Sequence, residues 1–192
     1  MIDKNMLFFE TIKCYEDEIF HLDYHKKRVA RTIGKNIDLN EYIYPPSIEF
    51  LRCKVIYNID DIVDIKYYPY KQKDIKSFKI VYDENIKYKY KAINRDIIDN
   101  LYSLKDKADD IIIFKNGYMT DTSIANIAIF LDSIWLTPKI PLLNGTTRDR
   151  LLEEGFIKES NITLEQLLKA EKIALMNAMI DFTIIEDFKI YK

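Results

Sequence analysis

The most constraining stretch of this chain is Ile111-Ile112-Ile113-Phe114, four bulky apolar residues in a row that run into Lys115-Asn116-Gly117. Four consecutive apolar side chains leave no polar face, so a strand built from them must be covered on both sides. Asn-Gly tolerates the positive φ that a two-residue hairpin turn demands, so the strand is expected to fold straight back. Such a segment in mid-chain requires a sheet with helices or more sheet against each face.

The rest of the second half supplies both. Ile97, Ile98, Leu101 and Leu104 recur at helical spacing and give one buried stripe. Ile124 to Leu131 and Ser133 to Leu136 continue the meander, and Ile173 to Met176 and Phe182 to Ile185 read as closing strands. Helices are expected over Thr147 to Glu154, stopped by Gly155, and over Leu164 to Ala170. In the first half, Met6 to Cys14 and Glu18 to Leu22 read as strands joined by a turn at Tyr15-Glu16-Asp17. A basic helix runs from Asp23 to Gly34, and Asn36 to Pro46 is a short helix or loop stopped by two prolines. Glu49 to Asn58, Ile62 to Tyr68 and Ser77 to Tyr82 suggest one antiparallel sheet. The expected division is a small domain over 1–85 and a larger one over 86–192.

Charge narrows the function. In 192 residues, 29 Lys and Arg nearly balance 31 Asp and Glu, for a net charge of -2. No field of one sign would draw nucleic acid. The lysines between Lys71 and Lys91 alternate with Tyr and Ile, as on solvated strands and loops. Cys14 and Cys53 sit in apolar runs without metal or disulfide spacing, as small core residues of a reducing compartment do. Met1-Ile2-Asp3-Lys4 opens no basic-then-apolar signal segment, and no apolar run approaches a membrane span. A cytoplasmic protein is expected.

Three segments carry possible chemistry. Lys91-Ala92-Ile93-Asn94-Arg95 places a lysine where a strand gives way to a helix. Burial there would favour the neutral, nucleophilic amine, although a solvated lysine is the commoner use. Gly117 to Asn126 sets Asp121 and an amide around a predicted strand, where the acid could hold a protonated ring nitrogen or simply finish a turn. Leu143-Asn144-Gly145-Thr146-Thr147-Arg148 opens a helix with glycine and two hydroxyls, suited to a phosphate or to plain capping.

In this order the segments resemble the class IV aminotransferase family, the fold type IV pyridoxal-phosphate enzymes. Phe9-Glu10-Thr11 resembles the early F-E-T or F-E-G strand, and His25-Lys26-Lys27-Arg28 the H-x-x-R helix. Lys91 to Arg95 resembles the K-x-x-N-R form of the 4-amino-4-deoxychorismate lyase branch, and Thr120-Asp121 through Asn126 the S/T-E-x-x-x-x-N segment. Thr137-Pro138 is similar to the T-P that follows, Gly145 to Arg148 to G-I-T-R, and Met176-Asn177-Ala178-Met179 to the N-A turn near the end of lyase sequences.

The resemblance implies an α/β fold of α+β type, like D-amino-acid aminotransferase, with a shortened N-terminal domain and the cofactor between two domains. It implies Lys91 as the Schiff-base lysine and proton-transfer base, with Thr11 as a hydroxyl that helps shuttle the proton. Arg28, Thr146 and Thr147 would hold the phosphate of pyridoxal 5'-phosphate, Asp121 would face its ring nitrogen, and Asn177 would lie near phosphate or substrate. Asp121 stands where the family usually has Glu. Arg52 is a candidate for the substrate carboxylate, with Arg95 and Arg148 equally open to structural use. A homodimer acting on a small amino substrate follows, with no nucleic acid, membrane or metal. Three activities remain open: a lyase that releases pyruvate to give 4-aminobenzoate for folate synthesis, an aminotransferase for branched-chain or D-amino acids, and a degenerate, non-catalytic relative.

Overall fold

The computed structural model describes residues 4–192. Met1, Ile2 and Asp3, which carry most of the expectation about a signal segment, lie outside the described residues. The chain divides into two compact units. One is the chain through Gln72 with Tyr90–Asn94, and the other is Lys73–Lys89 with Arg95–Lys192.

The first unit is a four-stranded antiparallel sheet under one helix. Its strands are β1 (Phe8–Tyr15), β2 (Glu18–Ile19), β3 (Leu51–Tyr57) and β4 (Ile62–Pro69), in the order β2-β1-β3-β4. Strand alternation sends Phe8, Glu10, Ile12 and Cys14 of β1 inward, with Leu51, Cys53, Val55 and Tyr57 of β3. Helix α1 (Leu22–Ile33) presents His25, Arg28, Val29 and Thr32 as its buried stripe. Gly34, at φ 77°, ends the helix in the left-handed conformation that favours glycine, and its N–H donates to Ala30 O. Both cysteines are buried and free.

Tyr90–Asn94 belongs to this unit because it pairs with the open side of β1. Phe9 N–H donates to Lys91 O and Ile93 N–H to Leu7 O, each at 2.9 Å, around a bridge between Phe8 and Ala92. Lys91 therefore follows an irregular stretch rather than a strand. The division differs from the expected 1–85 and 86–192 because backbone pairing, invisible to local pattern, recruits the lysine segment backward and releases residues 73–85 forward.

The second unit holds a nine-stranded mixed sheet. Its main path uses β5 (Ser77–Tyr82), β6 (Asp110–Lys115), β7 (Tyr118–Thr122), β8 (Asn126–Leu131), β9 (Ile134–Pro138), β10 (Lys158–Ser160) and β13 (Lys189–Tyr191), in the order β10-β9-β8-β7-β6-β5-β13. Off this path, β11 (Lys172–Asn177) pairs with β8 and with β12 (Asp181–Ile185). Strand β6 is covered on both faces as expected: Ile112 and Phe114 enter one core, and Ile111 and Ile113 another beneath α2 (Asp96–Ser103). Asn116 and Gly117 both adopt positive φ, 51° and 78°, which closes the β6–β7 hairpin. The second half also carries α3 (Thr146–Glu153) and α4 (Leu164–Lys169).

One sheet assignment changes. Strand β5 does not join the antiparallel sheet of the first half; it pairs in parallel with β6 and with β13. Its Phe78 and Ile80 are buried among Ile112, Phe114 and Ile127, a distant packing choice that composition does not encode. Strand β8 begins at Asn126 rather than Ile124, because Thr122 and Ala125 close a turn through backbone and hydroxyl hydrogen bonds. Among the described residues no helix is long and apolar enough to cross a membrane.

Candidate active site

In the first unit the polar residues fall into two groups on opposite faces of β1. Inward, Glu10 and His25 are fully buried and Arg28 nearly so. Glu10 Oε1 accepts from Arg28 Nε at 2.9 Å, and Oε2 accepts from Arg28 Nη2 at 2.5 Å and from His25 Nδ1 at 2.6 Å. Burial alone would raise the Glu10 carboxyl, but the Arg28 guanidinium and the His25 hydrogen bond bring it down to about 2. Burial pushes the His25 imidazole below its usual value, against the pull of Glu10 and with the push of Arg28 and Lys91.

The outward face carries Phe9, Thr11 and Lys13. Across the sheet Thr11 aligns with Lys54 and then Lys66, and Lys13 with Arg52 and then Tyr68. The Lys91 and Lys54 ammonium groups lie 4.8 and 5.1 Å from the centre of the Phe9 ring, and the Arg52 guanidinium lies 5.0 Å from that of Tyr68. Lys91 and Thr11, separated by 80 positions, are thus brought to the same edge and face of one sheet.

In the second unit Asp121 is almost wholly buried. Its Oδ1 accepts from Asn126 Nδ2 at 2.7 Å, and Oδ2 from the Leu142 and Leu143 N–H groups at 2.8 and 3.0 Å. Burial pushes the carboxyl up to about 6 despite these three bonds and the nearby Arg148. Asn126 Nδ2 also donates to Leu143 O, and a Cβ at position 145 would sit 1.9 Å from Asn126 Oδ1. Gly145 is therefore required by the close approach of Asn126, a residue whose organising role its place in the motif did not disclose.

Gly145 starts α3, where no side chain caps the helix. The first helical bond runs from Asp149 N–H to Gly145 O, so the amides of Thr146, Thr147 and Arg148 precede the helical ladder. Thr146 and Thr147 are buried, and among the described residues neither hydroxyl has a hydrogen-bond partner. Three other candidates have structural partners. Arg148 Nη2 donates to Pro138 O and Glu159 Oε1, Arg95 Nη2 to Ser123 O, and Asn177 Nδ2 to Ile124 O. Asn177 Oδ1 accepts from the Met179 and Ile180 N–H groups and shapes the β11–β12 turn. Arg95 and Asn177 thus hold the same Ser123-Ile124 turn, which follows Asp121 on β7.

The Asp121 carboxyl makes a testable pH signature. Because its folded value is raised, its contribution to stability is full below the unfolded value, near 3.8, and is lost as pH rises through about 6. Asp121→Asn keeps one acceptor oxygen and turns an NH2 toward a donor, a loss of about 1–3 kcal/mol at low pH. The deficit should shrink between pH 4 and pH 8, where the wild type pays for its buried charge. Urea unfolding at the two pH values measures this, and an equal deficit at both would show that burial does not govern the group.

Comparison with known proteins agrees with this architecture. The family model for amino-transferase class IV matches residues 62–188. An uncharacterized protein of Haemophilus influenzae is 32% identical over 182 residues, covering 89% of this chain and 96% of that protein. The crystal structure of a candidate 4-amino-4-deoxychorismate lyase from Haemophilus somnus is 31% identical, covers 91% of this chain and 97% of its own, and superposes with a TM-score of 0.79. A hypothetical aminotransferase of Mycobacterium tuberculosis in a PLP-bound form shares the fold at 15% identity, with a TM-score of 0.80 over 95% of this chain and 81% of its own. The mixed α+β fold expected from sequence is the fold of these proteins. This chain belongs to the class IV aminotransferase family and is an enzyme of that family.

Proposed function

We propose that the protein is a pyridoxal 5'-phosphate-dependent lyase that converts 4-amino-4-deoxychorismate to 4-aminobenzoate and pyruvate, a step of folate synthesis. The residues present fit that cofactor. A helix start without a side-chain cap, opened by two buried threonines, suits a phosphate, and a carboxylate raised to about 6 by burial suits a cationic ring nitrogen beside it. Bound there, the cofactor supplies an aldehyde for amine condensation and a ring that withdraws electrons from the amine-bearing carbon.

Arg28, Thr146 and Thr147 would hold the phosphate through N–H and O–H donors. Asp121 would keep the ring nitrogen protonated, and Asn177 would steady the adjoining turn. Lys91 would anchor the cofactor through Nζ and then remove the proton from the amine-bearing carbon of the substrate. Thr11 would relay a proton toward the departing enolpyruvyl group. The carbon–oxygen bond to that group breaks, the group leaves as pyruvate, and the ring becomes aromatic with no net oxidation. The enzyme would work as a cytoplasmic homodimer, as is usual for this fold.

The observation that carries the lyase reading is the cationic face beside Lys91. Lys54 shares the Phe9 ring with Lys91, and Lys13 and Arg52 continue the charge across β1 and β3, while Lys66 on β4 is paired with Asp64. A substrate with two carboxylates matches this face, whereas a branched-chain amino acid brings one carboxylate and an apolar side chain. Pyruvate release, coupled to lactate dehydrogenase, tests the reaction. Lys54→Met should raise KM about tenfold, consistent with one lost charged hydrogen bond, and change kcat less. Amino-group transfer to a keto acid without pyruvate release would make the enzyme an aminotransferase.

A further inference from the structure

Glu10 and His25 belong to the F-E-T and H-x-x-R segments, yet no catalytic or binding step above uses them. Both are fully buried among Phe8, Ile12, Val29 and Tyr57. A carboxylate in such a core costs more than an apolar side chain of equal size, even when paired. Its arrangement is directional. Both Glu10 oxygens grip one edge of the Arg28 guanidinium, through Nε and Nη2, which sets the plane of the group as well as its position. His25 Nδ1 holds the second oxygen of Glu10 from the neighbouring turn of α1, while its Nε2 is buried without a partner among the described residues. The helix that carries Arg28 is thereby clamped to β1 at the level of that arginine.

Charge makes the orientation matter. Glu10 neutralises Arg28, so the pair attracts an anion less through net charge than through N–H donors aimed in a fixed direction. A tilt of the guanidinium would then cost most of its value to a phosphate.

We infer that Glu10 and His25 are positioning residues that orient Arg28 to receive the cofactor phosphate. This rests on the reading of Arg28 as a phosphate ligand. The full-length apoprotein, titrated by fluorescence with pyridoxal phosphate and with pyridoxal, gives the preference for the phosphorylated form. Glu10→Gln should reduce that preference about tenfold, the scale of one charged hydrogen bond, and leave pyridoxal affinity unchanged. His25→Gln, the gentler change, should reduce it about threefold by the same logic and decides the matter if Glu10→Gln fails to fold. Equal weakening of both ligands, or an unaltered preference in folded variants, would overturn the inference alone. A wild-type protein with no preference for the phosphorylated form would overturn the underlying assignment of Arg28 as well.

Discussion

Lys91→Ala should lower turnover by on the order of 10⁴-fold, the upper range for loss of a proton-transferring side chain. Its effect on folding should be far smaller, since the loss is confined to side-chain interactions such as the contact with the Phe9 ring. The separation is physical. Lys91 secures its segment to β1 through its backbone carbonyl, which accepts from Phe9 N–H, and alanine keeps that bond. The side chain contributes its contact with the Phe9 ring. Borohydride reduction followed by peptide mapping gives the decisive readout. A pyridoxyl label on Lys91, absent from the variant, supports the assignment. A label on Lys54, whose amine approaches the same ring, would exchange the two roles. Loss of stability matching the loss of activity would make Lys91 a structural residue.

Arg28→Leu should cost about 3–5 kcal/mol of stability, because it strands the Glu10 carboxylate in an apolar core. That is a large part of the 5–15 kcal/mol typical of a whole domain. Adding Glu10→Leu should recover most of the loss, since the stranded charge is then gone. The pH dependence carries a defined sign. In the wild type, Glu10 is depressed to about 2, so its contribution is complete above the unfolded value, near 4.5, and is lost as pH falls through about 2. His25 is also depressed and acts in the same direction, losing its contribution below the unfolded value near 6.5 as pH falls through its lowered folded value. Without Arg28, burial dominates and the Glu10 value rises, so the variant's deficit should shrink as pH drops and the carboxyl protonates. Chemical unfolding of the single and double variants at pH 8 and pH 5 measures both effects. Additive losses in the double variant would show that the two side chains do not depend on each other.

The sequence alone determined the parts of this protein that depend on near neighbours. Ile111 to Phe114 had to be a strand covered on both faces, and Asn116-Gly117 had to turn it back, because side-chain sterics settle both locally. The Gly34 stop of α1 was legible for the same reason, and of the expected stripe on α2 Ile98 and Leu101 are buried, whereas Ile97 and Leu104 are exposed. The ordered short motifs also specified the family, since several weak matches in sequence order constrain more than any one of them.

Tertiary structure decided what depends on partners far along the chain. Ser77 to Tyr82 has the same β-rich composition whichever sheet it joins; parallel pairing with β6 and β13 placed it in the second unit. The lysine segment joined the first unit because the open side of β1 offered backbone donors and acceptors at Leu7 and Phe9. Glu10 stood out in the sequence only as the middle of Phe9-Glu10-Thr11, and the packing of α1 made it a buried carboxylate shared by His25 and Arg28. Asp121 could be named from its motif, but its bonds to Asn126, Leu142 and Leu143, and the burial that lifts it to about 6, arise where β7, β8 and the loop before α3 meet. Periodicity reports which face a residue presents; what waits on that face is set by the rest of the chain.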